Sequence, residues 1–319
     1  MIKQPGKYQD LSDPQARPRY TGIATFFRTE PSQDLTDLDI GIIGVPFDGG
    51  VTHRSGARHG PRAVREQSTL LRRINAATGI APFAAARVRD LGDCWIEQPY
   101  ELTGALAEIA AFYHTVVAAG VTPLSVGGDH SVSLPILRAV AASGPVGMVH
   151  IDAHCDTGGE FDQTRFHHGG PFRLAVLDGV LDPTRCIQIG IRGSSEYLWE
   201  FSKDAGMTVI HAEEVSALGV AEIVRLAREV IGDGPTYLSF DVDGLDPVYA
   251  PGTGTPEIGG LTTREALAIF HGLKGLNICG GDVVEVAPQY DPSTNTAQAG
   301  AQMLFEILSL MAFSPTLKP

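Results

Sequence analysis

The 319-residue sequence has only four cysteines, Cys94, Cys155, Cys186 and Cys279, and no two of them form a CxxC pair. Such spacing indicates neither a zinc knuckle nor a disulfide framework, so reduced thiols are expected. No run of about 18 apolar residues occurs, which leaves no candidate for a membrane-spanning helix. The stretch MIKQPGKYQDLSDPQARPRY lacks the apolar segment of a secretory signal, and a cytoplasmic protein is expected. Positive charge is also scarce. A formal net charge of -13 argues against nucleic acid and anionic membrane as partners, because phosphate binding needs a basic face. The surplus acid suits cationic small molecules weakly and is mostly read as solvated surface. Internal repeats, linkers and low-complexity tracts are absent as well.

What is present is enough apolar material, 43% of residues, for one large core. About 35 residues rich in Pro, Arg and Asp come first, expected to pack as an extension (1–35) on the body or between subunits. Residues 36–319 read as one domain. Strand-like runs are DIGIIGVPFDGG, ARVRDLGD, VTPLSVGGDH, GMVHIDAH, RCIQIGIRG, MTVIHAEE, PTYLSFDVDGLDP and ICGGDVVEVAP. Helices are expected near 101–119, 132–142, 218–232, 262–274 and 296–312, and from Ala63 to Ile74 behind Pro61. Strands alternating with helices predict an α/β fold, a mostly parallel sheet of about eight strands covered on both faces.

The chemistry gathers at strand ends. In VHIDAHCDT, an extended chain would turn His150, Asp152, His154 and Asp156 to one side and Ile151, Ala153 and Cys155 to the other. GGDH, SFDVDGLDP and EVAP close three further strands. Open α/β sheets collect ligands at the carboxyl ends of strands, so these segments should share one crevice. His130, Asp152, His154, Asp156, Asp241 and Asp243 supply two imidazoles and four carboxylates, which repel one another unless cations lie between them. Two divalent ions would balance the four acids and could activate water between them. Oxygen-rich sites with imidazole and no thiolate favour manganese, with nickel or cobalt as alternatives, over structural zinc. His150 is read as a structural histidine outside the metal set. The Gly-rich FDGGVTHRSGARHG lacks the P-loop Lys-Ser/Thr and reads as a pocket wall, with Arg62 and Arg65 as structural or intersubunit residues.

GGDHS, HIDAHCD and SFDVDGLDP, in that order, resemble the three signatures of the ureohydrolase family. The likeness runs from Gly41 to Phe313 and is strongest toward the bacterial agmatinase and guanidino-acid hydrolase branch, through GVPFDGG, SGARHGPRAVR, PFRLAV and APGTGTPEIGGLT. The resemblance implies a three-layer α/β/α arginase-like fold, a dinuclear centre, urea as a product and a homotrimer or homohexamer. It further implies one metal on His130, Asp152, Asp156 and Asp241, and the other on Asp152, His154, Asp241 and Asp243. Asp152 and Asp241 would bridge. His168 matches the family's proton shuttle toward the leaving amine, with His167 the less favoured neighbour. Glu285 matches the carboxylate that grips the guanidinium, and Asp156 would also orient the attacking hydroxide. Both proton donor and carboxylate make chemical sense, since an amine needs a proton to leave and a planar guanidinium fits a bidentate acid.

Departures from the family pattern bear on the substrate. Gly158 and Gly159 follow the DAHCD motif where guanidino-acid relatives tend to carry an Asn, and Gly170 replaces the Thr of HGT. These glycines are expected to enlarge the pocket and to remove polar anchors. A guanidinobutyrate, guanidinopropionate or agmatine hydrolase is the main reading, and an N-alkylated guanidine or biguanide such as dimethylguanidine or metformin is the alternative. If a carboxylate anchor exists after all, His53 or Arg165 would supply it. A silent subunit supporting an active homologous partner in a hetero-oligomer is the reading of another class, disfavoured because the full ligand set is present.

Overall fold

A computed structural model describes residues 18–193 and 197–317. Eight parallel strands form one sheet: β1 (Ile40–Val45), β2 (Val88–Asp93), β3 (Thr122–Gly127), β4 (Val146–Ile151), β5 (Leu181–Ile191), β6 (Thr208–His211), β7 (Thr236–Asp241) and β8 (Ile278–Val284), in the order β2-β1-β3-β8-β7-β4-β5-β6. Their near-continuous apolar character follows from burial on both faces, since helical crossovers must cover both. One face packs Ile40, Ile42, Val149, Ile151 and Phe240 against helices 60–68, 220–231, 263–272 and 295–311. The other packs Ile43, Val45, Met148 and Tyr237 against helices 102–118, 133–140 and 171–177. This is the expected three-layer arrangement.

Local chemistry sets the helix ends. Thr262 caps the helix Thr263–Gly272 by accepting from Glu265 N, and the Glu265 side chain returns to the Thr262 N–H. The helix expected over Ala63–Ile74 instead runs Gly60–Ser68. Leu70 and Ile74 supply the apolar period that suggests the longer helix, yet both are exposed. Helices Pro171–Leu177, Tyr197–Ala205 and Ala212–Leu218 are additions to the expected set, being too short to complete a convincing period.

Part of the expected N-terminal extension packs on the core. Residues 1–17 of the 1–35 extension lie outside the described residues. Phe26 and Phe27 belong to the main core, with Phe26 N donating to Asp90 Oδ2 (2.8 Å) and Phe27 N to Ser68 Oγ (2.9 Å). Burial of a phenylalanine of this kind contributes roughly 1.5–3 kcal/mol. Phe26 and Phe27 thus anchor this segment on the body of the domain. Arg65 is structural within the chain, joining Asp90 and Asp93.

Candidate metal centre

The four central strands, β3, β8, β7 and β4, are adjacent and parallel, so their carboxyl ends open at one place. His130 follows β3, Glu285 follows β8, Asp241 and Asp243 close β7, and Asp152 follows β4. The strand β4 stops at Ile151, so the alternation expected through Asp156 is not a strand register. The chain bends at 152–154 and Asp156 adopts φ 51°, which still turns the polar row inward. Glu285 is likewise left-handed at φ 64°. For non-glycine residues such backbone costs on the order of 1 kcal/mol or more, and it concentrates where side chains must be aimed. Gly128 carries a different constraint: a Cβ there would lie 1.5 Å from Phe47 O. That approach keeps the β1 loop against the GGDH turn.

His130 Nδ1 stands 3.1 Å from Asp152 Oδ2, 2.8 Å from Asp156 Oδ2 and 3.3 Å from Asp241 Oδ2. His154 Nδ1 stands 3.4 Å from Asp152 Oδ1 and 3.3 Å from Asp243 Oδ2. Asp152 thus turns one oxygen to each cluster, and Asp241 Oδ1 accepts from Asp243 N (2.8 Å) between them. All six expected donors are brought together. Ligands at right angles around an ion with bonds of about 2.1 Å lie about 3 Å apart, which matches these separations.

Hydrogen bonding assigns the tautomers. Asp282, fully buried, accepts from Ser133 Oγ (2.6 Å), Tyr237 OH (2.7 Å) and Ser239 Oγ (2.7 Å). Ser239 spends its one proton there, so at 2.9 Å it must accept from His130 Nε2–H. Nδ1 is then the nitrogen left for a cation: burial disfavours a charged ring, but Asp156, Asp152 and Asp241 outweigh it and hold the His130 value high, so without a metal a proton occupies this nitrogen. The atom is buried, has no hydrogen-bond partner, and faces three carboxylate oxygens. Such a point calls for a cation, and the donor set fits a divalent metal. The same reasoning removes His150 from the ligands. Gln188 Nε2 donates to Cys155 O (2.6 Å) and to His150 Nδ1 (3.0 Å), so His150 donates its Nε2–H to Asp152 Oδ2 (2.7 Å). His150 orients Asp152, an expected ligand.

Charge balance agrees. Burial, then repulsion from Asp243 and Asp152, pushes the Asp241 carboxyl up. Burial and Asp152 raise Asp243 to about 6. Burial works against the charged form of His154, but Asp243 and Asp152 outweigh it and hold its value high. In the absence of a cation these acids and imidazoles hold protons in the space a metal would fill.

Beside the donors opens a cavity of about 290 Å³, lined by Asp156, His154, Asp241, Asp243, Thr52, Thr255, His167, His168, Gly158, Gly159, Glu160 and Phe161, among others. His168 Nδ1 meets Glu285 Oε1 (2.9 Å), and its Nε2 meets Thr52 Oγ1 (2.7 Å). Burial disfavours the charged imidazole, yet Glu285, Asp129 and Asp156 prevail and raise it to about 9. His167 is placed differently, with Nε2 on Gly159 O (2.7 Å). Glu285 lies behind His168 rather than in the cavity lining, its Oε1 also accepting from His130 N (2.9 Å) and its buried Oε2 unpartnered.

Of the three glycines expected to open the pocket, Gly159 lines the cavity and a Cβ there would meet nothing within 4 Å, whereas Gly158 and Gly170 are crowded. A Cβ on Gly158 would meet Gly169 O at 2.7 Å, and one on Gly170 would meet His167 Nε2 at 3.0 Å and Gly158 O at 3.2 Å. Gly158 lines the cavity; Gly170 does not. At these two positions the His167 ring and the chain itself fill the space that missing side chains are expected to leave. His53 and Arg165 are exposed and outside the lining. Sequence reasoning missed Ser239, Asp282, Gln188 and Thr52, and also Arg192, whose guanidinium gathers the carbonyls of Gly190, Asp243, Leu245 and Glu257 behind the Asp243 loop. A buried Ser or Gln on an apolar strand was the available signal.

The Arginase family model matches residues 38–309. Guanidinopropionase of Pseudomonas aeruginosa is 52% identical over 93% of this chain and 94% of its own length. Mitochondrial agmatinase of Gallus gallus is 48% identical over 93% of this chain and 87% of its own. The solved structure of proclavaminate amidinohydrolase from Streptomyces clavuligerus superposes with a TM-score of 0.90 at 37% identity, covering 93% of this chain and all of that one. With its strand-end donors in the same fold, this chain belongs to the arginase family.

Proposed function

We propose that the protein hydrolyses a guanidino compound to urea and an amine, using two divalent ions held by His130, Asp152, His154, Asp156, Asp241 and Asp243. The observation that carries this reading is the orphaned Nδ1 of His130 among three carboxylates, one of which also serves the second cluster. Imidazole and carboxylate without thiolate support manganese, with nickel or cobalt as alternatives. When bound, the ions would supply Lewis acidity and a water activated at neutral pH.

The chain's own residues do the rest. Asp152 and Asp241 bridge the two clusters, and Asp156 borders the cavity where an attacking oxygen needs an acceptor. His168, held charged by Glu285, stores a proton on Nε2 and passes it to the departing nitrogen. Glu285 orients that imidazole with Oε1; its Oε2 is buried outside the cavity lining and would accept a guanidinium N–H only from a substrate that reaches past the His168 ring. Asp152→Ala should abolish metal retention and activity together, whereas Glu285→Gln should keep metal and lose turnover. Full metal content and rate in Asp152→Ala would refute the assignment.

Among the described residues the cavity lining holds no Lys or Arg, and it includes Glu160 and Phe161. This supports a substrate tail without a carboxylate, agmatine or an N-alkyl guanidine, while the 52% identity to guanidinopropionase supports an acid. A steady-state panel of guanidinobutyrate, guanidinopropionate, agmatine, arginine, dimethylguanidine and metformin separates them. The family assembly expected here is a homotrimer or homohexamer, which light scattering tests.

A further inference from the structure

The loop after β1 reads from sequence as a pocket wall without a chemical role. In the structure it is fastened to the proton donor at two points. His168 N donates to Gly50 O (2.8 Å), and both the N–H and the hydroxyl of Thr52 reach His168 Nε2, at 3.2 and 2.7 Å. The loop is itself fixed, since Gly50 N donates to the fully buried Asp129 at 2.7 Å, next to His130. Thr52 is exposed and lines the cavity.

These contacts divide the work of the two ring nitrogens. The Glu285 carboxylate can only accept, so Nδ1 keeps its proton and Nε2 is the position that exchanges. At Nε2, the Thr52 backbone N–H can only donate and therefore favours the neutral ring. The Thr52 hydroxyl can do either: it donates to the neutral ring, and it accepts once Nε2 carries a proton. Without it, a protonated Nε2 would face an N–H and nothing else of Thr52.

We propose that Thr52 is a positioning residue for proton delivery, its hydroxyl holding the charged His168 ring with Nε2–H aimed at the cavity edge until the leaving amine takes the proton. The inference rests on His168 being the proton donor. In the step itself the C–N bond breaks, its electron pair goes to nitrogen, and the Nε2 proton follows. His168 then returns to the neutral form, with Thr52 again donating to it, and regains its proton from solvent.

The test uses Mn²⁺-loaded enzyme and the best substrate of the guanidino panel. Thr52→Val and Thr52→Ala both lack the hydroxyl and together guard against a folding artefact; Thr52→Ser keeps it, and His168→Asn removes the donor. The hydroxyl-less variants should lose about tenfold or more in kcat with KM changed less than about threefold, and should show a larger solvent deuterium isotope effect on kcat, because proton transfer becomes slower. Thr52→Ser should recover to within about threefold. Metal content and melting temperature should stay at the wild-type level throughout. A kcat within twofold of wild type in Thr52→Val and Thr52→Ala, with His168→Asn inactive, overturns the role of Thr52 alone. Failure of Thr52→Ser to recover assigns the loss to packing and also overturns it. Retained activity in His168→Asn defeats the proton-donor reading, and this inference with it.

Discussion

Ser239 is the most informative residue to remove, because it touches no proposed substrate group yet sets the chemistry of a proposed metal ligand. Its hydroxyl donates to Asp282 Oδ1 and accepts from His130 Nε2–H. Ser239→Ala leaves that buried N–H without an acceptor, at a cost of about 1–3 kcal/mol. The ring can avoid the cost by giving up the Nε2 proton and keeping one on Nδ1, where the oxygens of Asp152, Asp156 and Asp241 lie within 3.3 Å and favour it. A metal must then displace that proton. The penalty corresponds to roughly 10- to 100-fold weaker binding, the usual range when a group behind a ligand is lost. Competition of metal-free protein against a calibrated chelator at fixed pH measures it. One site should weaken by that factor, while the site at His154 and Asp243 changes less than about threefold, and Ser239→Thr should restore the loss. Unchanged affinity at both sites would refute the tautomer argument.

Phe26→Ala should lower unfolding free energy by about 3–5 kcal/mol in urea titrations, since the ring is fully buried and lies 4.3 Å below the Arg65 guanidinium. Gly128→Ala should yield little soluble protein, because the new methyl would collide with the Phe47 carbonyl. For pH dependence, His168 is raised to about 9 in the folded chain from an ordinary value near 6.5, so its pairing with Glu285 stabilises fully below about 6.5. That contribution should fade as pH rises through 9, and the urea midpoint of metal-free Glu285→Gln should lack this part of the slope. In the substrate panel, kcat/KM for either guanidino acid should not exceed that of the best non-carboxylated guanidine by more than about tenfold; a preference beyond a hundredfold would show an anchor outside the described lining.

The sheet and the convergence of the six proposed donors were legible because both follow from short-range rules: apolar runs announce buried parallel strands, and charged residues directly after them have no folding reason to be there. The strand order was not legible, and it is what makes β3, β8, β7 and β4 neighbours at the site. Ser239 and Asp282 were hidden for a related reason, since their value lies in a contact between adjacent strands. Gly158 and Gly170 mislead for a different reason. An absent side chain reads as empty space in a sequence, but His167 and the carbonyl of Gly169 occupy it in the fold. Helix 60–68 reads too long because apolar periodicity cannot tell exposed leucine and isoleucine from buried ones.

Titrating metal-free protein with Mn²⁺ while following urea release from the guanidino panel tests the central claim most directly. The account predicts that urea formation appears with added metal, reaches its plateau at about two equivalents per chain as the two donor clusters require, and is absent at every Mn²⁺ level in Asp152→Ala. Urea formation that saturates at one equivalent, proceeds without metal, or survives in Asp152→Ala would contradict it.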